Sequence, residues 1–289
     1  MLNQFIMSLG TAQDGGYPHI GCLESCCIKV RERINLKRLI ASIAIVDSKK
    51  KNFWLIDISP NINEQLIILN KYIQDYSSQS FAGIFLTHAH IGHYAGLLNL
   101  GLEALNLSKI PVYVFPRMKI FIENNSMFQQ LIDNRNIVLK DIEQFVDIKL
   151  NRDIKVQAFL VPHRNELSET VGYRIKSRNK TLIYIPDIDS WEDWDIELDK
   201  LIIDNDILIL DGTFYSKKEI KHRDIKKIPH PAIEDTMQIL KHIDRKEKSK
   251  IYFTHLNHTN RVLDDKSEEY NTVITSGYNI LEDKKVFNL

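Results

Sequence analysis

The chain has 289 residues, 44% of them apolar and 26% charged, and its 38 lysines and arginines are matched by 38 aspartates and glutamates. That balance excludes general disorder, and with no net charge there is no field to steer the protein toward nucleic acid or an anionic membrane. No segment approaches the ~20 apolar residues that span a bilayer, and residues 1–10 have neither a basic start nor a long apolar core. The expectation is a cytoplasmic protein acting on a small-molecule substrate, without a nucleic-acid or membrane partner; nothing in the sequence specifies an oligomeric state.

No repeat, low-complexity tract or Pro/Gly/Ser linker divides the chain, so one large domain over residues 1–289 is expected. Early in the chain, a turn-rich stretch with Gly15 and Gly16 leads into Cys22, Cys26 and Cys27. Three cysteines so close together suit a small metal clip, with a fourth ligand from elsewhere, or free buried thiols, better than a disulfide framework. Runs rich in β-branched and aromatic residues predict strands over 42–47, 53–58, 83–86, 112–115, 156–161, 170–175, 182–185, 207–210 and 251–254. Apolar residues three and four apart predict helices over 63–74, 94–105, 196–203 and 232–243. Residues 217–227 and 245–250 are charged enough to be solvated loops or helix ends. The polar turn between 175 and 182 makes a hairpin, which argues for antiparallel pairing. Two packed sheets flanked by helices therefore fit better than one parallel sheet.

The densest chemistry lies in the segment from Leu86 to Leu97, Leu-Thr-His-Ala-His-Ile-Gly-His-Tyr-Ala-Gly-Leu. It follows a strand, so His88 and His90 point the same way from extended backbone, and His93 falls in the first turn of the helix after it. Imidazoles converging from a strand end and a helix start can share one cation or a close pair. The plain alternative is a set of surface or capping histidines at a strand-helix junction. Three further residues weigh against it, since His163, Asp187 and His255 each follow the end of an apolar strand, where ligands distant in sequence can meet on one rim.

The series Thr87-His-Ala-His-Ile-Gly-His93, Pro162-His163, Pro186-Asp187 and Thr254-His255 resembles the metallo-β-lactamase-like hydrolases over most of the chain. The match is nearest to a branch that includes the B protein of pyrroloquinoline quinone biosynthesis. It runs through Leu9-Gly-Thr-Ala-Gln-Asp-Gly-Gly-Tyr-Pro18, Ile185-Pro-Asp-Ile188, Asp211-Gly-Thr-Phe214 and His255-Leu-Asn-His-Thr-Asn260. The resemblance implies an αββα sandwich of two mixed β-sheets with its site at the rim between them. It implies His88, His90 and His163 as ligands of one metal and His93, Asp187 and His255 as ligands of a second, with Asp187 bridging.

Gly92 departs from the pattern, because the family usually supplies an Asp there and glycine offers no ligand. One or two zinc ions are the expected occupants, with iron or manganese as alternatives, and Gly92→Asp is expected to tighten the second position. Related phosphodiesterases carry a histidine at a point comparable to His230, implying a proton donor to the leaving group; an exposed loop histidine is the bland alternative. The branch also has cysteines near the positions of Cys22, Cys26 and Cys27, implying a structural zinc whose loss lowers stability without touching the chemical step. His258, three residues past His255, is expected to line the pocket behind the ligands. His19, His222 and His242 have no motif partner and are given no role.

These residues point to metal-assisted hydrolysis of an ester, phosphodiester or amide bond, with Asp187 orienting the attacking water. A non-haem iron oxygenase and a catalytically silent binding protein are the competing expectations.

Overall fold

A computed structural model of the chain describes residues 3–73, 80–219 and 229–289. His222 and most of the 217–227 stretch lie outside them. The first sheet takes β1 (Gln4–Gly10), β2 (Ser42–Asp47), β3 (Asn52–Ile56), β4 (Phe81–Phe85), β5 (Ile110–Val114) and β6 (Ile137–Asp141). The second takes β7 (Ile148–Lys149), β8 (Lys155–Leu160), β9 (Val171–Lys176), β10 (Thr181–Ile185), β11 (Ile207–Asp211), β12 (Ile251–Thr254) and β13 (Asn279–Ile280). A last strand, β14 (Val286–Asn288), returns to the edge of the first sheet, giving the orders β14-β1-β2-β3-β4-β5-β6 and β13-β12-β11-β10-β9-β8-β7.

Alternation along the strands explains why the two sheets stack. Ile6, Ile43, Ile45, Trp54 and Phe85 of the first sheet meet Val156, Tyr173, Ile175, Leu182, Tyr184 and Ile209 of the second. The intervening residues Phe5, Met7, Ala44, Val46 and Leu55 face the helices Ile62–Asn70, Pro116–Glu123 and Ser126–Asp133. On the far side Ile183, Leu208 and Phe253 pack against helices Leu198–Ile203 and Ile233–Ile239. Both faces of each sheet are thus covered, so the strands read as nearly continuous apolar runs. The result is the expected αββα sandwich.

Strand direction decides where the chemistry gathers. Pairs β3–β4, β4–β5 and β5–β6 are parallel, and β1 is antiparallel to β2, which is antiparallel to β3. The C-terminal ends of β1, β3, β4 and β5 therefore share one rim. In the second sheet β10, β11 and β12 are parallel, and β8 joins them through two antiparallel pairings with β9.

Several elements differ from expectation. The predicted helix over 94–105 is a single turn at Ile91–Tyr94 followed by a 3-10 segment at Ala95–Leu100. Gly96 is pressed onto the preceding chain: its N–H donates to the Ile58 carbonyl at 2.9 Å, and a Cβ there would lie 2.3 Å from the Ser59 carbonyl oxygen. Strands β1, β6, β7, β13 and β14 were not foreseen, nor were the helices Ser25–Glu32, Pro116–Glu123, Ser126–Asp133 and Glu268–Thr275; β6, β7, β13 and β14 lie at sheet edges and β1 next to one. Among the described residues no helix is long and apolar enough to cross a membrane.

Candidate metal centre

All six expected ligands converge at the rim between the sheets. His88 and His90 sit on extended backbone beyond β4, His93 in the turn that follows, His163 beyond β8, Asp187 beyond β10 and His255 directly after β12. Ligand atoms of His88, His90, His163 and Asp187 lie within 4.8 Å of one another, and so do those of Asp14, His93 and His255. Asp187 spans the two sets: its Oδ2 is 3.3 Å from His93 Nε2 and 3.4 Å from His255 Nε2, while its Oδ1 is 3.7 Å from His163 Nε2.

Outer partners set the ring orientations. His88 Nδ1 donates to Thr87 Oγ1 at 2.9 Å, His93 Nδ1 to Asp57 Oδ2 at 2.6 Å, His163 Nδ1 to Asp189 Oδ1 at 2.6 Å, and His255 Nδ1 to Thr213 Oγ1 at 3.0 Å. With the proton placed on Nδ1, each Nε2 presents its lone pair to the interior. His88 Nε2, His93 Nε2, His255 Nε2, Asp14 Oδ1 and Asp187 Oδ2 are all buried with no hydrogen-bond partner among the described residues. Polar atoms buried and orphaned in one place are costly unless something shared satisfies them. The donor set, imidazole nitrogen with carboxylate oxygen, suits zinc, manganese or iron, so the residues fit a cation or a close pair. His90 is arranged differently, with Nδ1 3.3 Å from His163 Nε2 and Nε2 accepting from Arg164 Nη2 at 2.9 Å.

Electrostatics follow the same map. Burial holds His88 well below the ordinary histidine value, pushes His90 down to about 4 and lowers His255, so these rings are neutral and able to ligate. For His93 burial acts the same way but is outweighed by Asp57 and then Asp187, and its affinity for a proton is raised. Burial would raise Asp187, yet His255 and His93 keep it well below the usual carboxylate range.

His230 lies beside this centre. Its Nδ1 is 2.7 Å from Asp211 Oδ2, and its ring centroid is 5.4 Å from that of His163 and 6.0 Å from that of His255. Asp211 also accepts from the backbone N–H of Ile188, next to Asp187, at 3.0 Å. Burial pulls His230 down, but Asp211 outweighs it and the ring is raised to about 9.

The cysteines form a second cluster. Cys22 Sγ is 4.0 Å from Cys26 Sγ, which is 3.9 Å from Cys27 Sγ. The fourth member is His258, whose Nδ1 lies 3.6 Å from Cys26 Sγ and 3.5 Å from Cys27 Sγ. Zinc–thiolate bonds of about 2.3 Å imply tetrahedral edges of about 3.8 Å, close to these separations. Burial raises Cys26, and raises Cys27 to about 12, so thiolates there call for a cation. His258 was expected to line the metal pocket, and the structure corrects this. His255 adopts a left-handed φ of 59°, and the chain beyond it runs along the loop after β1, with Leu256 N–H bonding Thr11 O at 2.8 Å and Gln13 N–H bonding Leu256 O at 3.0 Å. That path carries His258 to the cysteines.

Sequence reasoning missed Asp14, Asp57, Asp189 and the outer roles of Thr87 and Thr213. Asp57 had a signal, as the acid closing the apolar Phe-Trp-Leu-Ile run of β3. It accepts Thr87 N–H at 2.8 Å as well as His93. The expected Gly92→Asp change meets a steric obstacle: a Cβ at Gly92 would lie 2.1 Å from Asp14 Oδ1 and 3.0 Å from its Cα, so Asp14 would have to move.

A sandwich with histidines and an aspartate gathered on the rim between its sheets defines a metallo-β-lactamase-like protein. The chain matches the Beta-lactamase superfamily domain over residues 53–256, and it belongs to that family. In sequence it is similar to coenzyme PQQ synthesis protein B of Gluconobacter oxydans, 23% identical over 98% of this chain and 98% of the relative. In structure it is similar to zinc-bound PqqB from Methylobacterium extorquens, at a TM-score of 0.83 and 23% identity, covering 99% of this chain and 100% of the other. A diphosphatase from the PhnP family shares the fold at a TM-score of 0.69 and 21% identity, covering 99% and 98%.

Proposed function

We propose that this chain is a metal-dependent hydrolase that cleaves a phosphodiester, ester or amide bond in a small molecule, with His88, His90, His163, Asp187, His93 and His255 as metal ligands. The observation carrying this reading is the placement of His230. It is hydrogen-bonded to Asp211 and raised to about 9, and it stands against a cluster of inward-facing imidazole nitrogens. Hydrolysis of a bond with a poor leaving group needs a proton donor at that point, and a protonated His230 meets that need.

A divalent cation held by these groups, zinc in the first instance and manganese or iron otherwise, supplies a bound water of lowered pKa and a Lewis acid. Asp187 faces both imidazole sets and accepts a hydrogen bond from the attacking water, fixing its direction. His230 gives its Nε2 proton to the departing oxygen or nitrogen, and Asp211 holds the ring in place. A cleft lined by Asp189, Trp191, Lys217 and His230 offers room for the leaving group on that side. The diphosphatase that shares the fold points within this class toward substrates with phosphoryl groups.

The test is a hydrolysis panel of bis-nitrophenyl phosphate, a nitrophenyl ester and a lactone, run on protein loaded with zinc, manganese or iron(II). Turnover of at least one substrate, abolished by His163→Ala, is expected. Oxygen consumption with iron(II) and no hydrolysis under any loading would overturn the proposal.

A further inference from the structure

We propose that Asp14 supplies the carboxylate that Gly92 does not, completing a second metal position formed by Asp14, His93, His255 and the shared Asp187. The inference rests on the metal-centre reading above and concerns which part of the chain provides the ligand.

Three observations carry it. First, Asp14 comes from outside the histidine motif yet arrives at the same place: β1 runs parallel to β3 and β4, so the loop beyond Gly10 emerges on the rim that carries His88 and His93. Second, the positions of Asp14 and of a side chain at residue 92 exclude each other. A Cβ at Gly92 would lie 2.1 Å from Asp14 Oδ1 and 3.0 Å from its Cα and Cγ. Glycine at 92 therefore makes the room that the Asp14 side chain fills, and the carboxylate arrives from the opposite side. Third, Asp14 Oδ1 is buried, 3.4 Å from His93 Nε2, and has no hydrogen-bond partner among the described residues; His93 Nε2 and His255 Nε2 are in the same condition. Three orphaned donor atoms facing one point are what a ligand set requires.

The loop is built to hold that carboxylate still. Thr11 and Ala12 N–H both bond Leu39 O at 2.8 Å, Gly16 N–H bonds Gln13 O at 2.7 Å, and the Asn257 amide bonds Gln13 Oε1. The bonds from Gln13 N–H to Leu256 O and from Leu256 N–H to Thr11 O clamp this loop to the residue next to His255. At Gly15 a Cβ would lie 2.2 Å from the His19 ring, so a larger residue there would displace that side chain.

The experiment counts and titrates metal in the full-length chain. Zinc and manganese content by elemental mass spectrometry, and Mn²⁺ titration of chelator-treated protein, would be compared for wild type, Asp14→Asn, Asp14→Gly, Gly92→Asp and the Asp14→Gly/Gly92→Asp double variant. Circular dichroism would confirm folding of each. Asp14→Asn is expected to lose one equivalent, with weaker binding by more than the roughly 10–100-fold typical of losing an outer partner. Gly92→Asp alone should lose metal through the clash, and the double variant should recover most of the lost affinity, the non-additive signature of two residues sharing one place. Full metal content and unchanged affinity in Asp14→Asn would overturn the proposal, as would a folded double variant that binds no better than Asp14→Gly. A wild type whose content is unaltered by His88→Ala or His163→Ala would instead overturn the metal-centre reading itself.

Discussion

His93 Nδ1 and Asp57 Oδ2 are 2.6 Å apart, both side chains fully buried, and this contact ties the end of β3 to the histidine turn beyond β4. Asp57 also serves Thr87, accepting its N–H on Oδ1 at 2.8 Å and its hydroxyl on both oxygens, at 3.0 Å to Oδ1 and 2.9 Å to Oδ2. It does so from a left-handed backbone, with φ of 63°.

Asp57→Asn tests what that carboxylate does. Asn tolerates the left-handed conformation, so the backbone should be kept. Its oxygen must serve Thr87 N–H, which turns its amide nitrogen toward His93. A donor there forces His93 Nδ1 to accept, moves the ring proton to Nε2 and removes the lone pair from the interior. Metal affinity should fall by roughly 10–100-fold while the chain still folds. Manganese or zinc titration checks this, and unchanged affinity would show that the ring does not depend on Asp57.

His230→Ala should lower kcat by ~10² to 10⁴ with metal content intact, the usual contribution of a positioned proton donor. The loss should shrink for nitrophenyl substrates, whose leaving groups depart without protonation. A variant that loses metal would identify His230 as a ligand.

The His230–Asp211 pair also predicts a pH dependence. The folded value is raised to about 9 from the ordinary 6.5, so the stabilisation it brings is fully present below pH 6.5 and is lost as pH rises through about 9. The protonated ring is the active form, so kcat should fall over the same upper range. The urea midpoint of Asp211→Asn should lie well below that of wild type at pH 6 and approach it above pH 9. A gap that stays constant would mean that the pair does not titrate as described.

Tyr173 of β9 reaches across the sandwich and donates its hydroxyl to Leu86 O at 2.6 Å, the carbonyl just before the histidine motif. Tyr173→Phe leaves that buried carbonyl short of a partner and should cost ~1–3 kcal/mol in denaturant unfolding, without loss of metal.

Cys26→Ser should remove one zinc equivalent and lower Tm by more than ~5 °C, since a structural metal contributes directly to folding. His258→Ala should do the same, being the fourth member of that cluster. Retention of both metal content and Tm in either variant would leave the cluster as free thiols.

What the sequence by itself determined was everything that local pattern encodes. Strands such as β12 were legible because β-branched and aromatic runs end at turn residues, and His88, His90, His93, His163, Asp187 and His255 were legible because each follows a strand end or shares a short motif. Tertiary structure alone decided the rest. Asp14 lies far from the histidine motif in sequence, in the glycine-rich turn after β1, and only the parallel course of β1 and β3 brings it to the rim. His258 looked like a pocket residue because it is three positions from His255, but the turn at His255 sends it to the cysteines instead. Proximity along the chain is encoded by backbone geometry, whereas proximity through space depends on sheet order and on which side chain fills the volume that a glycine leaves open. At Gly92 that volume belongs to Asp14.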